Sequence, residues 1–325
     1  MKRGDAIVRL YGMPYKGSKN AIADWIIHAL PDAECFVDLF GGGGAITHCA
    51  ALSFKYDRVI YNELDTNVYN GFYMAIHGEF KNEKRWISRE DFFRLKDTEP
   101  YAAMCFSFGN DWRTYCYARE LEPWKKALHY ARVFKDTSLL EAFGISSDGS
   151  RADIKRHKEK YRAAYIAWLK EQNLYISAVD EFERLQSLES LQSLESLQSL
   201  QSLESLESLE RLERLERLER LERLETYNLD YSAVNIPDNA VVYCDIPYKG
   251  TNKYNQPFDY ERFYNWALSH KQRIFVSEYS MPAGFYEVDF MEKRSTLCAT
   301  NKSLYTSEKL FCNQPYQSER QMTLF

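Results

Sequence analysis

The sequence predicts an α/β fold built on a parallel sheet, because apolar runs of strand length alternate with helix-like stretches. Two such runs lie in the first part of the chain, at residues 35–40 and 58–61, and two lie in the last part, at residues 240–244 and 273–277. Alternation of this kind is typical of parallel sheets covered by helices. Four consecutive glycines after the first run indicate a turn that a ligand can approach closely.

The predicted elements follow one another in the order that a parallel sheet requires. A helix over residues 20–30 precedes the first strand, and a helix over residues 45–52 links the glycine loop to the second strand. Near the other end, a helix over residues 260–269 connects the last two strands. We therefore assign residues 1–79 and 227–325 to two halves of one domain.

The region between these halves has a different composition. Residues 80–180 are rich in aromatic and charged side chains at helical spacing, as in the stretches 123–128 and 161–174. This pattern predicts a separate helical domain.

A leucine recurs at every third position from Leu185 to Leu224, first in Ser-Leu-Gln or Ser-Leu-Glu units and then in Arg-Leu-Glu units. Three residues advance about 300° on an α-helix, so these leucines circle the helix and give no single apolar face. Residues 181–226 are therefore a leucine triplet-repeat insert. A projecting helix, helices packed on each other and disorder all fit the pattern. Self-association through exposed leucines and a merely tolerated insertion fit it as well.

Composition limits the class of protein. No apolar run approaches the roughly 20 residues that cross a bilayer, which predicts a cytoplasmic protein with no membrane partner. The seven cysteines are scattered without a Cys-x-x-Cys spacing, so neither a disulfide framework nor a metal site is predicted. Twelve Glu and six Arg in residues 181–225 account for the net charge of −5, which therefore does not argue against a nucleic-acid partner.

The glycine loop and the acid after the second strand form a pattern for a nucleotide-like ligand. A strand, a glycine-rich turn and a helix form the usual cradle, and an acid after the next strand binds ribose hydroxyls. Glu63 occupies that position, and no Gly-Lys-Ser/Thr follows Gly44, which disfavours a phosphate-binding loop. A cationic nucleoside such as S-adenosylmethionine fits better, with Asp38 suited to its ammonium end. A tight loop without a ligand is the alternative.

The tetrad Asp245-Ile246-Pro247-Tyr248 places a carboxylate, a rigid turn and an aromatic ring together at the end of a strand. A carboxylate and the following carbonyl can each accept one N–H of an exocyclic base amine, which makes the nitrogen lone pair available to a methyl sulfonium. Tyr248 would stack on a base flipped out of the duplex. The tetrad thus suggests methyl transfer to a nucleobase, and a proline turn with a capping carboxylate is the alternative.

In these motifs the sequence resembles the Dam-like adenine DNA methyltransferases. Tyr15-Lys16-Gly17-Ser18-Lys19 is similar to the family's N-terminal cofactor motif, and Phe40-Gly41-Gly42-Gly43-Gly44 is similar to its Phe-x-Gly-x-Gly. Glu63 falls at the family's ribose-binding acid, usually Asp, and the tetrad falls at its Asp-Pro-Pro-Tyr. Ile246 departs from the family pattern, keeping the carbonyl acceptor but giving up one rigid φ angle.

The resemblance implies a Rossmann-like, S-adenosylmethionine-dependent domain that methylates the N6 amine of adenine in double-stranded DNA, with a helical target-recognition domain. The catalytic residues it implies are Asp245, Ile246, Pro247 and Tyr248. The cofactor-binding residues it implies are Tyr15, Lys19, Asp38, Phe40, Gly42, Gly44, Glu63 and Asp245. DNA contacts are expected from Asn110, Arg113 and Tyr115 in a glycine-containing loop, and from Lys125 and Lys126 at phosphates.

Three alternatives stay open at this point. A cytosine-N4 methyltransferase would more often carry Ser at the first tetrad position, so Asp245 favours adenine. RNA could replace DNA as the substrate. A catalytically silent DNA-binding or assembly protein would account for the leucine repeat.

Overall fold

The computed structural model contains two compact units, a sheet unit and a helical unit. The described residues are 11–119, 121–147, 150–156, 158–171, 221, 224–248, 258–294 and 305–317. Among them, residues 11–81 and 221–317 form the sheet unit, and residues 82–171 form the helical unit. The sheet unit is thus assembled from two separate segments of the chain.

A seven-stranded sheet organises the sheet unit in the described part of the chain. Its strands are β1 (Cys35–Asp38), β2 (Arg58–Asn62), β3 (Leu224–Tyr227), β4 (Ala240–Cys244), β5 (Arg273–Glu278), β6 (Tyr286–Arg294) and β7 (Tyr305–Cys312). They lie in the order β3-β2-β1-β4-β5-β7-β6. The first five strands are parallel to their neighbours, whereas β7 is antiparallel to both β5 and β6.

The register of the central strands sets the position of the acidic residues. Asp38, the last residue of β1, is paired with Tyr61 of β2 on one side and with Tyr243 of β4 on the other. Glu63 and Asp245 each follow the ladder partner of Asp38 by two residues. Because the carboxyl ends of parallel strands meet at one sheet edge, all three acids lie along that edge, where the strand order reverses.

Helices of the sheet unit cover both faces of the sheet, whereas the helices between residues 82 and 171 belong to the helical unit. The described helices are α1 (Ala23–Ala29), α2 (Ala45–Leu52), α3 (Thr66–Ile76), α4 (Arg89–Leu95), α5 (Pro100–Phe106), α6 (Glu122–Val133), α7 (Ser138–Glu141), α8 (Arg151–Arg156), α9 (Lys158–Glu171) and α10 (Tyr260–Ser269). Phe36 of β1 packs in a core with residues of α1 and α2, whereas Val37 packs in a second core with residues of α10. Burial on both faces explains why β1 is a continuous apolar run.

The prediction of an α/β fold is confirmed at the level of a mixed α/β sheet. The structure contains three strands that the sequence analysis did not identify, namely β3, β6 and β7. Leu224 and Glu225, which close the leucine repeat, begin β3 and pair with β2. An ion pair between Arg58 and Glu225 joins the two strands at that point.

The helical unit has its own core. Trp124 and Leu128 of α6 are fully buried and pack with Leu140 of α7, and Trp168 of α9 lies against the same cluster. The first turn of α6 contains Pro123, which is well tolerated there because the missing N–H would have no partner in the helix.

The leucine repeat and membrane-spanning segments are the two remaining subjects of the sequence predictions. Apart from Leu221 and its last residues in β3, the leucine repeat lies outside the described residues, and so do both alternatives for it, self-association and a tolerated insertion. Among the helices that are described, none combines the length and the hydropathy needed to span a membrane.

Candidate active site

The glycine loop after β1 packs too closely for side chains. An added Cβ would lie 2.2 Å from the Tyr61 ring at Gly41 and 2.0 Å from the Phe72 ring at Gly44. Gly44 also adopts a φ of +68°, which residues with a Cβ rarely take. The Gly44 amide donates to the Gly41 carbonyl at 2.7 Å and closes the turn. The conformation of this loop therefore requires glycine.

The segment before α1 lies against the glycine loop. The Met13 amide donates to the Gly43 carbonyl at 2.7 Å. An added Cβ at Gly42 would lie 3.1 Å from the Tyr15 ring. The N-terminal motif that begins at Tyr15 therefore contacts the glycine loop in space.

Asp38 ends β1 beneath this loop and is only 1% exposed. Its Oδ2 atom accepts a hydrogen bond from the Thr47 hydroxyl at 2.7 Å, whereas its buried Oδ1 atom accepts none from the described residues. Burial raises the pKa of Asp38 to about 7, and the Thr47 bond opposes that rise. A buried carboxylate oxygen without a donor is costly, so this atom marks a position for a cation or an N–H group.

Glu63 follows β2 and joins two loops through its carboxylate. Oε2 accepts from the Gly42 amide at 2.9 Å, and Oε1 accepts from the Asp65 amide at 2.8 Å. Burial raises the pKa of Glu63, although these backbone donors act in the opposite direction. Each carboxylate oxygen has two acceptor sites, so Glu63 keeps capacity for hydroxyl donors.

Asp245 follows β4 and pairs with Lys19 from the segment before α1. The Lys19 ammonium lies 3.2 Å from Asp245 Oδ1 and 2.6 Å from Glu308 Oε1 on β7, and it donates to the Tyr248 hydroxyl at 2.5 Å. Burial raises the pKa of Asp245 to about 6, with Lys19 opposing the rise and Glu308 adding to it. Burial lowers the pKa of Lys19, but the two carboxylates outweigh burial and the pKa is raised overall. Lys19 is therefore a cation.

The other tetrad residues hold the turn after β4 in place. Ile246 is 1% exposed and packs in the core that contains Val37. The Pro247 carbonyl accepts from the Tyr260 hydroxyl at 2.9 Å. The Tyr248 ring meets the Tyr279 ring edge to face, with centroids 4.8 Å apart. Ile246 and Pro247 thus anchor the tetrad, whereas the side chains of Asp245 and Tyr248 both contact Lys19.

The Phe40 side chain packs against the protein core in a cluster of aromatic rings. Its ring lies 5.5 Å from that of Tyr231, 5.8 Å from that of Phe258 and 5.7 Å from that of Phe263, measured between centroids. This cluster packs on the same core as Ile246. The start of the glycine loop and the turn after β4 are therefore supported by one core.

Two of the residues expected to contact DNA are buried in the helical unit. Tyr115 is 4% exposed and donates to the Ile87 carbonyl at 2.8 Å. Lys125 is 1% exposed, with its ammonium 5.6 Å from the centroid of the Tyr117 ring. The partner of the Tyr115 hydroxyl lies 28 residues away in sequence, so the residues next to Tyr115 give no sign of its burial.

The other residues of that expected set lie nearer the surface. Arg113 is exposed in a turn. Its backbone amide donates a hydrogen bond to the Asp111 carboxylate at 2.8 Å. Lys126 is exposed on α6, with its ammonium 5.7 Å from the centroid of the Tyr130 ring. Asn110 adopts a φ of +56°, and its buried Oδ1 atom accepts no hydrogen bond from the described residues.

The fold and this site define a class of protein. A seven-stranded sheet with β7 antiparallel between β5 and β6, and with acids at the ends of β1, β2 and β4, is consistent with a methyltransferase fold. The sequence matches the family of D12 class N6 adenine-specific DNA methyltransferases over residues 15–284, and the chain belongs to that family. It is an enzyme of adenine-N6 DNA methylation, which confirms the adenine-specific prediction. No curated protein matches the sequence.

Enzymes of this family generally use S-adenosylmethionine as the methyl donor, and the acids at the sheet edge fit such a ligand. Asp38 Oδ1 has no donor among the described residues and can take an ammonium group. Glu63 keeps acceptor capacity for ribose hydroxyls, and the glycine loop between them exposes backbone without side chains. In the part of the chain described, no group of three or more His, Cys, Asp or Glu could hold a metal ion.

Three polar residues of the site were not identified from the sequence. Thr47, which donates to Asp38, lies three positions after Gly44 in the first turn of α2, and that position is the one available signal for it. Tyr279 and Glu308 belong to segments without a recognisable motif. Their positions depend on how β5 and β7 pair, which local sequence does not reveal.

Proposed function

We propose that this chain transfers a methyl group from S-adenosylmethionine to the N6 amine of a flipped adenine at a specific site in duplex DNA. The observation that carries the proposal is the placement of two unlike carboxylates on neighbouring parallel strands. Asp38 on β1 has a buried oxygen without a donor, and Asp245 after β4 is 23% exposed beside a lysine. The first suits a cationic group held in the protein, and the second suits a substrate amine.

Residues at the ends of β1 and β2 would hold the cofactor. When bound, S-adenosylmethionine supplies a methyl group carried on a positively charged sulfur. Asp38 would bind its ammonium group and Glu63 its ribose hydroxyls. Tyr15 and the side-chain-free backbone at Gly42 would line the cradle between these acids, which is supported by the contact of Tyr15 with the glycine loop.

The tetrad would activate the adenine amine. The lone pair of this amine is delocalised into the ring, so the amine is a weak nucleophile. Acceptance of its two N–H groups by the Asp245 carboxylate and the Ile246 carbonyl makes the lone pair available. Tyr248 would stack on the flipped base and offset the few kcal/mol that flipping costs. Pro247 fixes the turn that sets these groups side by side.

The helical unit would contact the DNA that carries the target base. Arg113 and Asn110 in the loop before α6 are proposed at base edges, and Lys126 on α6 is proposed at a phosphate. The exposure of Arg113 and Lys126 supports this division.

Transfer of labelled methyl from S-adenosylmethionine to unmethylated duplex DNA tests the proposal, with nucleoside analysis of the product. Label in N6-methyladenine is expected for the wild-type protein, and its loss is expected in Asp245→Ala. Matched RNA offered in the same reaction should stay unlabelled. A folded protein that labels no DNA, or an Asp245→Ala variant as active as the wild type, would contradict the proposal.

A further inference from the structure

Glu308 on β7 lies at the centre of the hydrogen bonds around the tetrad. It is 7% exposed. Its Oε1 atom accepts from the Lys19 ammonium at 2.6 Å and from the Tyr248 hydroxyl at 2.7 Å. One carboxylate oxygen therefore joins the segment before α1, the turn after β4 and strand β7.

The donors and acceptors of this network have defined roles. An ammonium has three N–H donors and no acceptor, and Lys19 has three partners here: Asp245, Tyr248 and Glu308. The Tyr248 hydroxyl must accept from Lys19, so its own proton is donated to Glu308. Glu308 thereby fixes the direction of the hydroxyl hydrogen bond as well as the position of the ammonium.

Asp245 and Glu308 compete for one cation. Lys19 lies closer to Glu308, at 2.6 Å, than to Asp245, at 3.2 Å. Without the charge on Glu308, Asp245 would be the one carboxylate paired with Lys19 among the described residues. A carboxylate fully engaged by an ammonium is a weaker acceptor for a neutral amine.

We infer that Glu308 is a positioning residue for methyl transfer, which draws Lys19 away from Asp245 and fixes the Tyr248 hydroxyl so that both tetrad groups meet the base correctly. This inference rests on the proposed role of Asp245. Glu308 lies on β7, outside the sequence motifs, so the residues that determine the rate would include one that no motif identifies. Glu308 would contact neither the reacting amine nor the methyl group and would act through Lys19 and Tyr248.

The charge of Glu308 affects the pKa of Asp245, which a purely structural role would not do. The charged groups that influence Asp245 are Lys19 before α1, Glu308 on β7, Glu278 at the end of β5 and Asp38 on β1. Burial raises the pKa of Asp245, Lys19 opposes this, and Glu308 adds to the rise. Loss of the Glu308 charge removes one raising influence and strengthens the opposing one. Both changes lower the pKa of Asp245.

The test compares Glu308→Gln and Glu308→Asp with the wild-type protein. Glu287→Gln is the matched control, because Glu287 is a carboxylate on the neighbouring strand β6 whose ion pair with Lys309 is solvent-exposed. Single-turnover methyl transfer is measured at saturating DNA and S-adenosylmethionine from pH 5 to pH 8. Thermal unfolding and the dissociation constants of both ligands are measured for each variant.

Glu308→Gln is expected to slow single turnover about 10- to 100-fold, the range for loss of a charged hydrogen bond. The acid limb of its pH–rate profile should move to lower pH, with ligand binding little changed. Glu308→Asp should recover part of the rate and return the acid limb toward the wild-type position. Glu287→Gln should match the wild type.

Two results would overturn the inference while leaving the proposed function intact. One is a Glu308→Gln variant with the wild-type rate and profile when Asp245→Ala is inactive. The other is a Glu308→Gln variant whose lost activity follows only its lost folded fraction, with the acid limb unmoved. A folded wild-type protein that transfers no methyl group to DNA contradicts the proposed function itself, before any Glu308 variant is compared.

Discussion

The Lys19 ammonium lies 3.2 Å from the carboxylate of Asp245, so the segment before α1 and the turn after β4 meet at one point. The resemblance to Dam-like enzymes implied that Lys19 contacts the cofactor, and that role stays a prediction. The structure adds a second setting for this lysine, among Asp245, Tyr248 and Glu308. Residues from three separate parts of the sheet unit thus determine the charge at the proposed catalytic carboxylate.

Asp38→Asn should weaken S-adenosylmethionine binding and remove its pH dependence. Burial raises the pKa of Asp38 to about 7, so the carboxyl is largely neutral below that pH and charged above it. A cationic ligand favours the charged form, and the wild-type affinity should therefore rise as pH increases from 6 to 7.5, by at most about tenfold per unit. Calorimetric titration at both pH values checks this. Equal affinity of the variant and the wild type at pH 7.5 would contradict it.

Gly44→Ala should destabilise the sheet unit more than Gly17→Ala does. Both glycines have positive φ, at +68° and +83°, which costs about 1–2 kcal/mol for a residue with a Cβ. A Cβ at Gly44 would also lie 2.0 Å from the Phe72 ring, whereas nothing lies within 4 Å of one at Gly17. Denaturant unfolding measures the two losses, and equal losses would show that Phe72 moves aside freely.

Ile246→Ala should lower stability without impairing the chemical step. The side chain is 1% exposed in the core, and truncation of a buried isoleucine costs about 2–5 kcal/mol. The carbonyl is retained, so single-turnover methyl transfer by the folded variant should stay near the wild-type rate. Ile236→Ala, a truncation at the edge of the same core, is the control. A large rate loss specific to Ile246→Ala would assign the side chain a role in activity.

Lys126→Ala should weaken DNA binding and reduce its salt dependence, whereas Arg113→Ala should weaken DNA binding and relax its sequence preference. Each phosphate contact contributes about one unit to the slope of log affinity against log salt concentration. Fluorescence anisotropy at several salt concentrations measures that slope, and anisotropy with duplexes of different sequence measures the preference. Arg94→Ala is the matched control, since Arg94 is exposed on the same unit and paired with Asp91. A wild-type slope in Lys126→Ala would contradict its phosphate contact, and a wild-type sequence preference in Arg113→Ala would contradict its base contact.

The central strands could be predicted from the sequence because burial on both faces makes them continuous apolar runs. This holds for β1, β4 and most of β5. In contrast, β6 includes Glu287, Asp289 and Glu292 among its apolar residues, because it is an edge strand. The beginning of β3 is hidden in the leucine repeat. Its pairing with β2 depends on tertiary contacts such as Arg58 with Glu225.

The site could be predicted in part for a related reason. Asp38 ends one apolar strand, Glu63 and Asp245 follow two others, and parallel strands bring such positions to one edge. Glu308 could not be predicted in this way, since its place beside Tyr248 requires β7 to run antiparallel next to β5. The burial of Tyr115 also depends on a residue distant in sequence, Ile87.

The most direct test of the central claim is the single-turnover rate of Asp245→Asn with duplex DNA and saturating S-adenosylmethionine. Asparagine keeps the shape of the side chain but replaces a charged acceptor with a neutral amide, one side of which is a donor. Formation of N6-methyladenine should be at least about 100-fold slower, as for loss of one preorganised electrostatic contact, with DNA and cofactor still bound. A wild-type rate in this variant would contradict the claim that Asp245 activates the adenine amine.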